Sequence, residues 1–397
     1  MSQIPGRKTD VAIVGAGILG LAHAALAARA GRSVAVFEKS PRASAASVRN
    51  FGMVWPIGQP AGPLLTLALR SRQLWFEFLT AAKLPYRDTG SLHLTYRDDE
   101  AAVAQEFASL APSLGYNCTW LTPAQTLSRS EAVQPASLLG ALWSPTEFTV
   151  DPRQVIHSLP AFLDERYGVE FHFSTLVSAI TTHASAPPTL HTTSPDGQSV
   201  AHQAETVLIC GGEDFQTLYP AHYAASGLTR CKLQMMRTPP QPANWQLGPS
   251  LAAGLTLRFY PAFQVCPTLP ALARRIAQET PALDQHGIHA LVSQTADGAL
   301  TLGDSHHYSL ASDPIDPFNR QDIDDLILAS TRLFLRAPDL SIAERWYGVY
   351  AKHPTQPLVS IDPEPSIRIV ASPGGSGMTL SFGLAEQTLL ELGILNA

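Results

Sequence analysis

The clearest chemistry in this chain lies in residues 11–20, Val-Ala-Ile-Val-Gly15-Ala-Gly17-Ile-Leu-Gly20, and in the acid that ends Val34-Ala-Val-Phe-Glu38. Gly15 allows a tight turn, Gly17 lets backbone approach a pyrophosphate, and Gly20 lets the next helix lie close to the strand. Glu38 is placed to accept hydrogen bonds from ribose hydroxyls, and its charge disfavours a ribose 2′-phosphate, which argues against NADP. Ile18, Lys39 and Ser47 flank the same turn and are further candidate cofactor contacts. The elements that must hold these groups surround them. Residues 11–14 read as a short apolar strand, 21–30 as an Ala- and Leu-rich helix stopped by Gly31, and 33–37 as a second strand. Together they form one βαβ unit for a dinucleotide. A signal peptide or a membrane span would have to carry these nucleotide-spaced glycines in its first half, and the apolar run is barely long enough to span.

Composition bounds the rest. The 397 residues are 45% hydrophobic and 15% charged, which suffices for a large core and two domains. A formal net charge of −6 without a basic run gives nucleic-acid binding no electrostatic support. Cys118, Cys210, Cys231 and Cys266 form no CxxC pair, so disulfides, a zinc site and an iron–sulfur cluster are not expected. No metal site is expected elsewhere. With no believable export signal, the expected location is cytoplasmic.

Nucleotide-binding features recur in three separated places. After the first βαβ unit, Asp151-Pro152 starts a helix to about 167, strands follow, and an apolar strand runs into Cys210-Gly211-Gly212. Near the C-terminus a strand from Ile367 meets Gly374-Gly375-Ser376-Gly377-Met378-Thr379, followed by a helix from about 378 to 392. Two insertions separate these segments, and 92–96, 255–260 and 290–294 alternate like half-buried strands. The expected architecture is α/β plus α+β. A discontinuous Rossmann-like domain takes 1–83, 151–215 and 336–397, and an interleaved antiparallel-sheet substrate domain takes 84–150 and 216–335.

The order of these motifs resembles the D-amino-acid oxidase and glycine oxidase superfamily of flavoenzymes, over nearly the whole chain. The resemblance implies an FAD-binding domain of the glutathione-reductase type, subclass two, with substrate between the flavin and the second sheet. It adds Arg49, Asn50, Val177, Gly211, Gly212, Gly375, Ser376, Gly377, Met378 and Thr379 to the FAD contacts. No His or Cys lies between Glu38 and Gln59 to attach a flavin, so FAD is expected to be non-covalent. Several local strings resemble a narrower group, bacterial FAD oxidoreductases linked to aminophosphonate catabolism. These include 47–59, Arg258-Phe-Tyr260-Pro, Gly303-Asp304-Ser305-His306 and Trp346-Tyr-Gly348-Val-Tyr350-Ala.

One departure bears on substrate. Amino-acid oxidases of the superfamily carry an Arg in Gly-Leu-Arg-Pro that clamps the substrate carboxylate, and here Tyr350 takes its place, followed by Ala351 and Lys352. An Arg fork and a Lys point charge are not equivalent anion sites. The expected substrate is a small anionic amine, held by some of Arg49, Arg258, Tyr260, His306, Tyr350 and Lys352. Of these, His306, Tyr350, Lys352 and Arg258 are the candidate catalytic groups, and Arg258 and Tyr260 share a face if 255–260 is a strand. His306 could serve either as an anion donor or as a proton acceptor. The expected reaction is oxidation of the C–N bond to an imine that hydrolyses to aldehyde and amine, with O2 or another carrier as electron acceptor. A D-amino-acid, glycine or sarcosine-type oxidase, an NAD-dependent dehydrogenase and a non-catalytic flavoprotein are the alternatives.

Overall fold

The computed structural model describes residues 5–309, 315–372 and 374–396. Two large sheets organise the chain. In the first, Pro5–Val14 is flanked on both sides by parallel partners, Val34–Phe37 and Ser199–Ile209. Glu170–His172 extends the parallel set beyond Val34–Phe37, and Ile367–Ala371 pairs in parallel with the end of Ser199–Ile209. The strands at its centre are apolar because both faces are covered, as parallel sheets require. Helix Ile18–Arg29 is buried along most of its length, and its Ala residues let Pro152–Tyr167 and Gly377–Glu391 approach closely. Helix Pro152–Tyr167 starts where the Asp-Pro pair places it: the Asp151 carboxylate accepts from the backbone N–H groups of Arg153 and Gln154, and Gly168 closes the helix in the left-handed region.

The second sheet is mainly antiparallel and runs from His307–Ser309 through Thr229–Pro240, Ala299–Gly303, Leu291–Gln294, Ser250–Ala253, Ser91–Thr95 and Gly140–Ser144 to Thr119–Leu121. A small third sheet ties Phe148–Val150 to Met53–Val54 and Tyr86–Arg87.

Two expectations are corrected. Glu344–Lys352 belongs to the second sheet, where it pairs antiparallel along Thr229–Pro240, so a boundary at 336 falls too early. Residues 255–260 are not a strand but part of two successive 3-10 turns, Gly254–Arg258 and Pro261–Val265. Gly254 packs so tightly on Glu100 that a Cβ would sit 2.3 Å from its carboxyl carbon. The Thr256 hydroxyl donates to Ala253 O, and Pro261 offers no N–H for a ladder. Arg258 and Tyr260 therefore do not share a strand face.

All four cysteines are free and buried. Among the described residues no helix is long and apolar enough to cross a membrane, and no group of three or more His, Cys, Asp or Glu could hold a metal ion.

Candidate active site

The glycine turn is built as a cradle. Gly15 adopts φ +104°, and a Cβ there would sit 2.5 Å from Cys210 O. A Cβ on Gly20 would fall 1.9 Å from Gly15 O, so helix Ile18–Arg29 reaches the strand only because that side chain is absent. Gly17 caps the helix, and Ser47 Oγ accepts the Ile18 N–H at 2.9 Å. The Glu38 carboxylate accepts from Ala16 N–H at 3.1 Å and from Ser40 N–H at 3.0 Å, so it fixes the turn as well as offering oxygens to a ribose. Lys39 pairs with Asp214 at 2.6 Å, from the ends of the two strands flanking Gly15. Asn50 is spent on the loop itself: its Nδ2 donates to Ala46 O and Ser47 O, and its Oδ1 accepts from Gly52.

A cavity of about 900 Å³ opens from this cradle. Gly15, Gly17, Ile18, Glu38, Lys39, Ser47, Val177, Gly211 and Gly212 are among its lining residues. Gly375, Ser376, Gly377, Met378 and Thr379 line it as well, at the start of helix Gly377–Glu391. Gly374 and Gly375 have φ +84° and +77°. A Cβ on Gly375 would meet the Tyr350 ring at 3.5 Å, and one on Gly374 would meet Lys352 Nζ at 3.5 Å. The glycine loop thus brings the end of the second sheet against the start of the last helix, where backbone N–H groups favour negative charge.

Arg49, Tyr260, His306, Tyr350 and Lys352 line the same cavity as a polar wall. Arg49 donates to Tyr347 O at 3.3 Å, and its guanidinium lies 5.8 Å from the Tyr347 ring. Neither Arg49 nor Lys352 has a carboxylate partner among the described residues. Burial holds the Tyr260 and Tyr350 phenols above their usual range, so both stay protonated donors. Burial also pushes His306 down to about 4, aided by the charges of Lys352 and Arg258.

Arg258 is not brought into this wall. It packs against Phe259, with its guanidinium 4.1 Å from that ring; Nη1 donates to Leu255 O, and Nη2 lies 3.4 Å from the Asp284 carboxylate as an ion pair. Three residues missed by sequence reasoning are in the wall instead: His289, Asp304 and Tyr308. Burial holds His289 well below, and Asp304 well above, the usual ranges. His289 arrives because Leu291 pairs with Gly303 across two strands, a register with no local sequence signal. Asp304 and Tyr308 flank His306 in sequence, and that adjacency was the available clue.

The cavity joins a glycine turn and the Glu38 carboxylate to a polar wall, a form that would fit an extended dinucleotide beside a small substrate. A family model described as DAO, FAD dependent oxidoreductase, matches residues 10–389. Glycine oxidase from Geobacillus kaustophilus (strain HTA426) is 29% identical over 146 residues, covering 35% of this chain and 39% of that enzyme. The crystal structure of glycine oxidase from Geobacillus kaustophilus superposes with a TM-score of 0.74 at 20% identity, over 97% of this chain and 95% of that one. L-alpha-glycerophosphate oxidase from Mycoplasma pneumoniae with FAD bound gives 0.75 at 16% identity, over 98% and 95%. The cradle of Gly15, Gly17, Gly20 and Glu38 suits the FAD that this family uses, and the chain belongs to the DAO family of FAD-dependent oxidoreductases.

Proposed function

We propose that the protein oxidises the C–N bond of a small anionic amine, with an (N-methyl) aminophosphonate as the leading substrate class, to an imine that water splits into aldehyde and amine. Bound FAD supplies the two-electron acceptance and hands the electrons on to O2 or another carrier. The chain's own residues bind, orient and exclude water. Gly15, Gly17 and Glu38 hold the dinucleotide. The loop 374–377 and Thr379 carry the last helix's N-terminus to the cavity, where its dipole supports developing negative charge. Lys352 and Arg49, without a carboxylate partner among the described residues, offer positive charge to the substrate's anionic end, and Tyr260 and Tyr350 offer hydroxyls.

The observation that carries the substrate reading is Tyr350 with Lys352. They lie two positions apart in Glu344–Lys352, both in the cavity wall. A neutral phenol stands where the resembled amino-acid oxidases place an Arg, beside a lysine with no carboxylate partner among the described residues. A compact ammonium can meet a phosphonate's several oxygens as a point charge, while the bidentate fork that the resembled oxidases set against a carboxylate is missing at this position. The second reading, a glycine or sarcosine-type oxidase, draws on the similarity to glycine oxidase.

An anaerobic screen by flavin bleaching tests both. It should include 2-aminoethylphosphonate, its N-methyl derivative, glycine, sarcosine and D-alanine. The expected result is fastest bleaching by an aminophosphonate. If glycine, sarcosine or D-alanine outruns every aminophosphonate, the phosphonate reading fails and the second takes its place. Bleaching by no amine would leave a flavoprotein without this activity.

A further inference from the structure

We infer that His306 meets the substrate's amine nitrogen as a hydrogen-bond acceptor through Nε2, that Gly287 is the positioning residue that fixes this tautomer, and that the site therefore selects amines carrying an N–H. The inference rests on the amine reading above and adds which end of the substrate His306 takes.

The turn before Leu291–Gln294 presents a backbone carbonyl to His306. His306 Nδ1 lies 3.0 Å from Gly287 O. A carbonyl oxygen only accepts, so Nδ1 carries the proton. A neutral imidazole has one N–H, which leaves Nε2 as a bare lone pair on a ring that lines the cavity. The ring stays neutral because it is buried close to the positive charges of Lys352 and Arg258. A neutral His306 in this tautomer cannot donate through Nε2 to a phosphonate or carboxylate. It can receive an amine N–H, and the anionic end falls to Lys352 and Arg49.

The tautomer is held by more than one contact. His306 N–H donates to His286 O at 2.9 Å, and His289 N–H donates to Asp304 O at 2.8 Å. These bonds stitch the 286–289 turn to the 304–306 segment. Gly287 has φ +53°, and a Cβ there would sit 2.9 Å from His306 Cβ, so a side chain would separate the two segments. The other groups facing the ring are the Asp304 carboxyl, with Oδ1 4.0 Å from Nδ1, and the His289, Phe259, Tyr308 and Tyr350 rings at 4.6, 5.8, 6.2 and 6.3 Å. Asp304 Oδ1 is sealed from solvent, without a hydrogen bond, and burial drives its carboxyl toward the neutral form. It does not take the Nδ1 proton from Gly287.

Histidine-labelled, FAD-bound full-length protein tests the tautomer by ¹⁵N NMR, with His306→Gln identifying the signals. Protonated Nδ1 and bare Nε2 between about pH 6 and 8 are expected, and a proton on Nε2 overturns the inference. The functional arm compares anaerobic bleaching by sarcosine with N,N-dimethylglycine, and by N-methyl- with N,N-dimethyl-2-aminoethylphosphonate. The neutral secondary amine of each pair should react about tenfold faster or more, the effect of one lost hydrogen bond in a buried site. His306→Phe should erase that preference, His306→Gln should keep part of it through its side-chain carbonyl, and Gly287→Ala should weaken it while FAD stays bound. An equal preference in folded His306→Phe overturns the assignment even if amines are oxidised. Bleaching by no amine in either pair overturns the amine reading and this assignment together, whatever tautomer the spectra report.

Discussion

Gly17 and Glu38 divide the work of the cradle, and their substitutions should differ in kind. A Cβ on Gly17 would already lie 3.0 Å from Ser47 Oγ, the acceptor of the Ile18 N–H. Gly17→Val should displace that hydroxyl, fill the approach to the pyrophosphate and yield folded protein without FAD, measured as loss of visible flavin absorbance on purification. Full FAD occupancy in that variant would show the nucleotide site to be elsewhere. Glu38→Ala removes ribose acceptors and also the bonds to Ala16 and Ser40. FAD affinity should fall by about ten- to a hundredfold, since a hydrogen bond to a charged group contributes roughly 1.5–3 kcal/mol. In the polar wall, Lys352→Ala and Arg49→Ala should each lower kcat/KM for the best anionic amine by about tenfold or more without displacing FAD. Arg258→Ala removes a cation paired with Asp284 and packed against Phe259, and should affect stability more than substrate binding. Unchanged turnover in both the Lys352 and Arg49 variants would show that the anion is held by other groups.

At the scale of elements, two close approaches bring the halves of the site together. Helix Ile18–Arg29 seats on its strand through Gly20, where an added Cβ meets Gly15 O at 1.9 Å. Gly20→Ala must push the helix outward, and a loss of roughly 3 kcal/mol or more is expected, with thermal unfolding moved to lower temperature. An unchanged transition would show that the turn relaxes freely. The second approach is Glu344–Lys352, which carries Tyr350 and Lys352 to the glycine loop before Gly377–Glu391. Its nucleotide-domain placement from sequence failed because sheet membership depends on a partner more than a hundred residues away, Thr229–Pro240. Residues 255–260 misled for a different reason. Their alternation satisfies a strand's period, but Pro261 and the packing of Gly254 on Glu100 favour 3-10 turns.

The cavity is lined by residues of both large sheets, and FAD held there is expected to carry no covalent link. Acid or heat denaturation should release FAD to the supernatant, and flavin absorbance retained in the washed precipitate would contradict this. Acid should also destabilise the fold through buried histidines. Burial holds His23 at about 4 and His93 at about 3, against an ordinary histidine value of about 6.5. These folded-state values are depressed, so below about 6.5 the unfolded chain binds more protons than the native one. Their stabilising contribution is complete above that pH and is lost as pH falls toward 4 and 3. Each histidine contributes a slope of up to about 1.4 kcal/mol per pH unit in that window. The thermal midpoint of holoprotein should therefore drop between pH 6.5 and 4, and His93→Phe should flatten the slope. A pH-independent midpoint across this range would contradict the assignment.

Sequence alone made the glycine turn and its flanking acid legible as a candidate nucleotide cradle, because Gly15, Gly17, Gly20 and Glu38 act through local backbone geometry at fixed spacing. It likewise determined the Asp151-Pro152 helix start and the last helix, whose caps and breakers are neighbours in the chain. The tertiary structure decided the substrate wall. Arg258 and Tyr260, two positions apart in sequence, part company: one packs against Phe259 and the other lines the cavity. His289 enters the wall through strand register, and the tautomer of His306 is set by a carbonyl at Gly287. Such facts depend on which strands pair and which backbone groups they leave facing a side chain. Long-range packing settles those choices, and neither composition nor spacing encodes them locally.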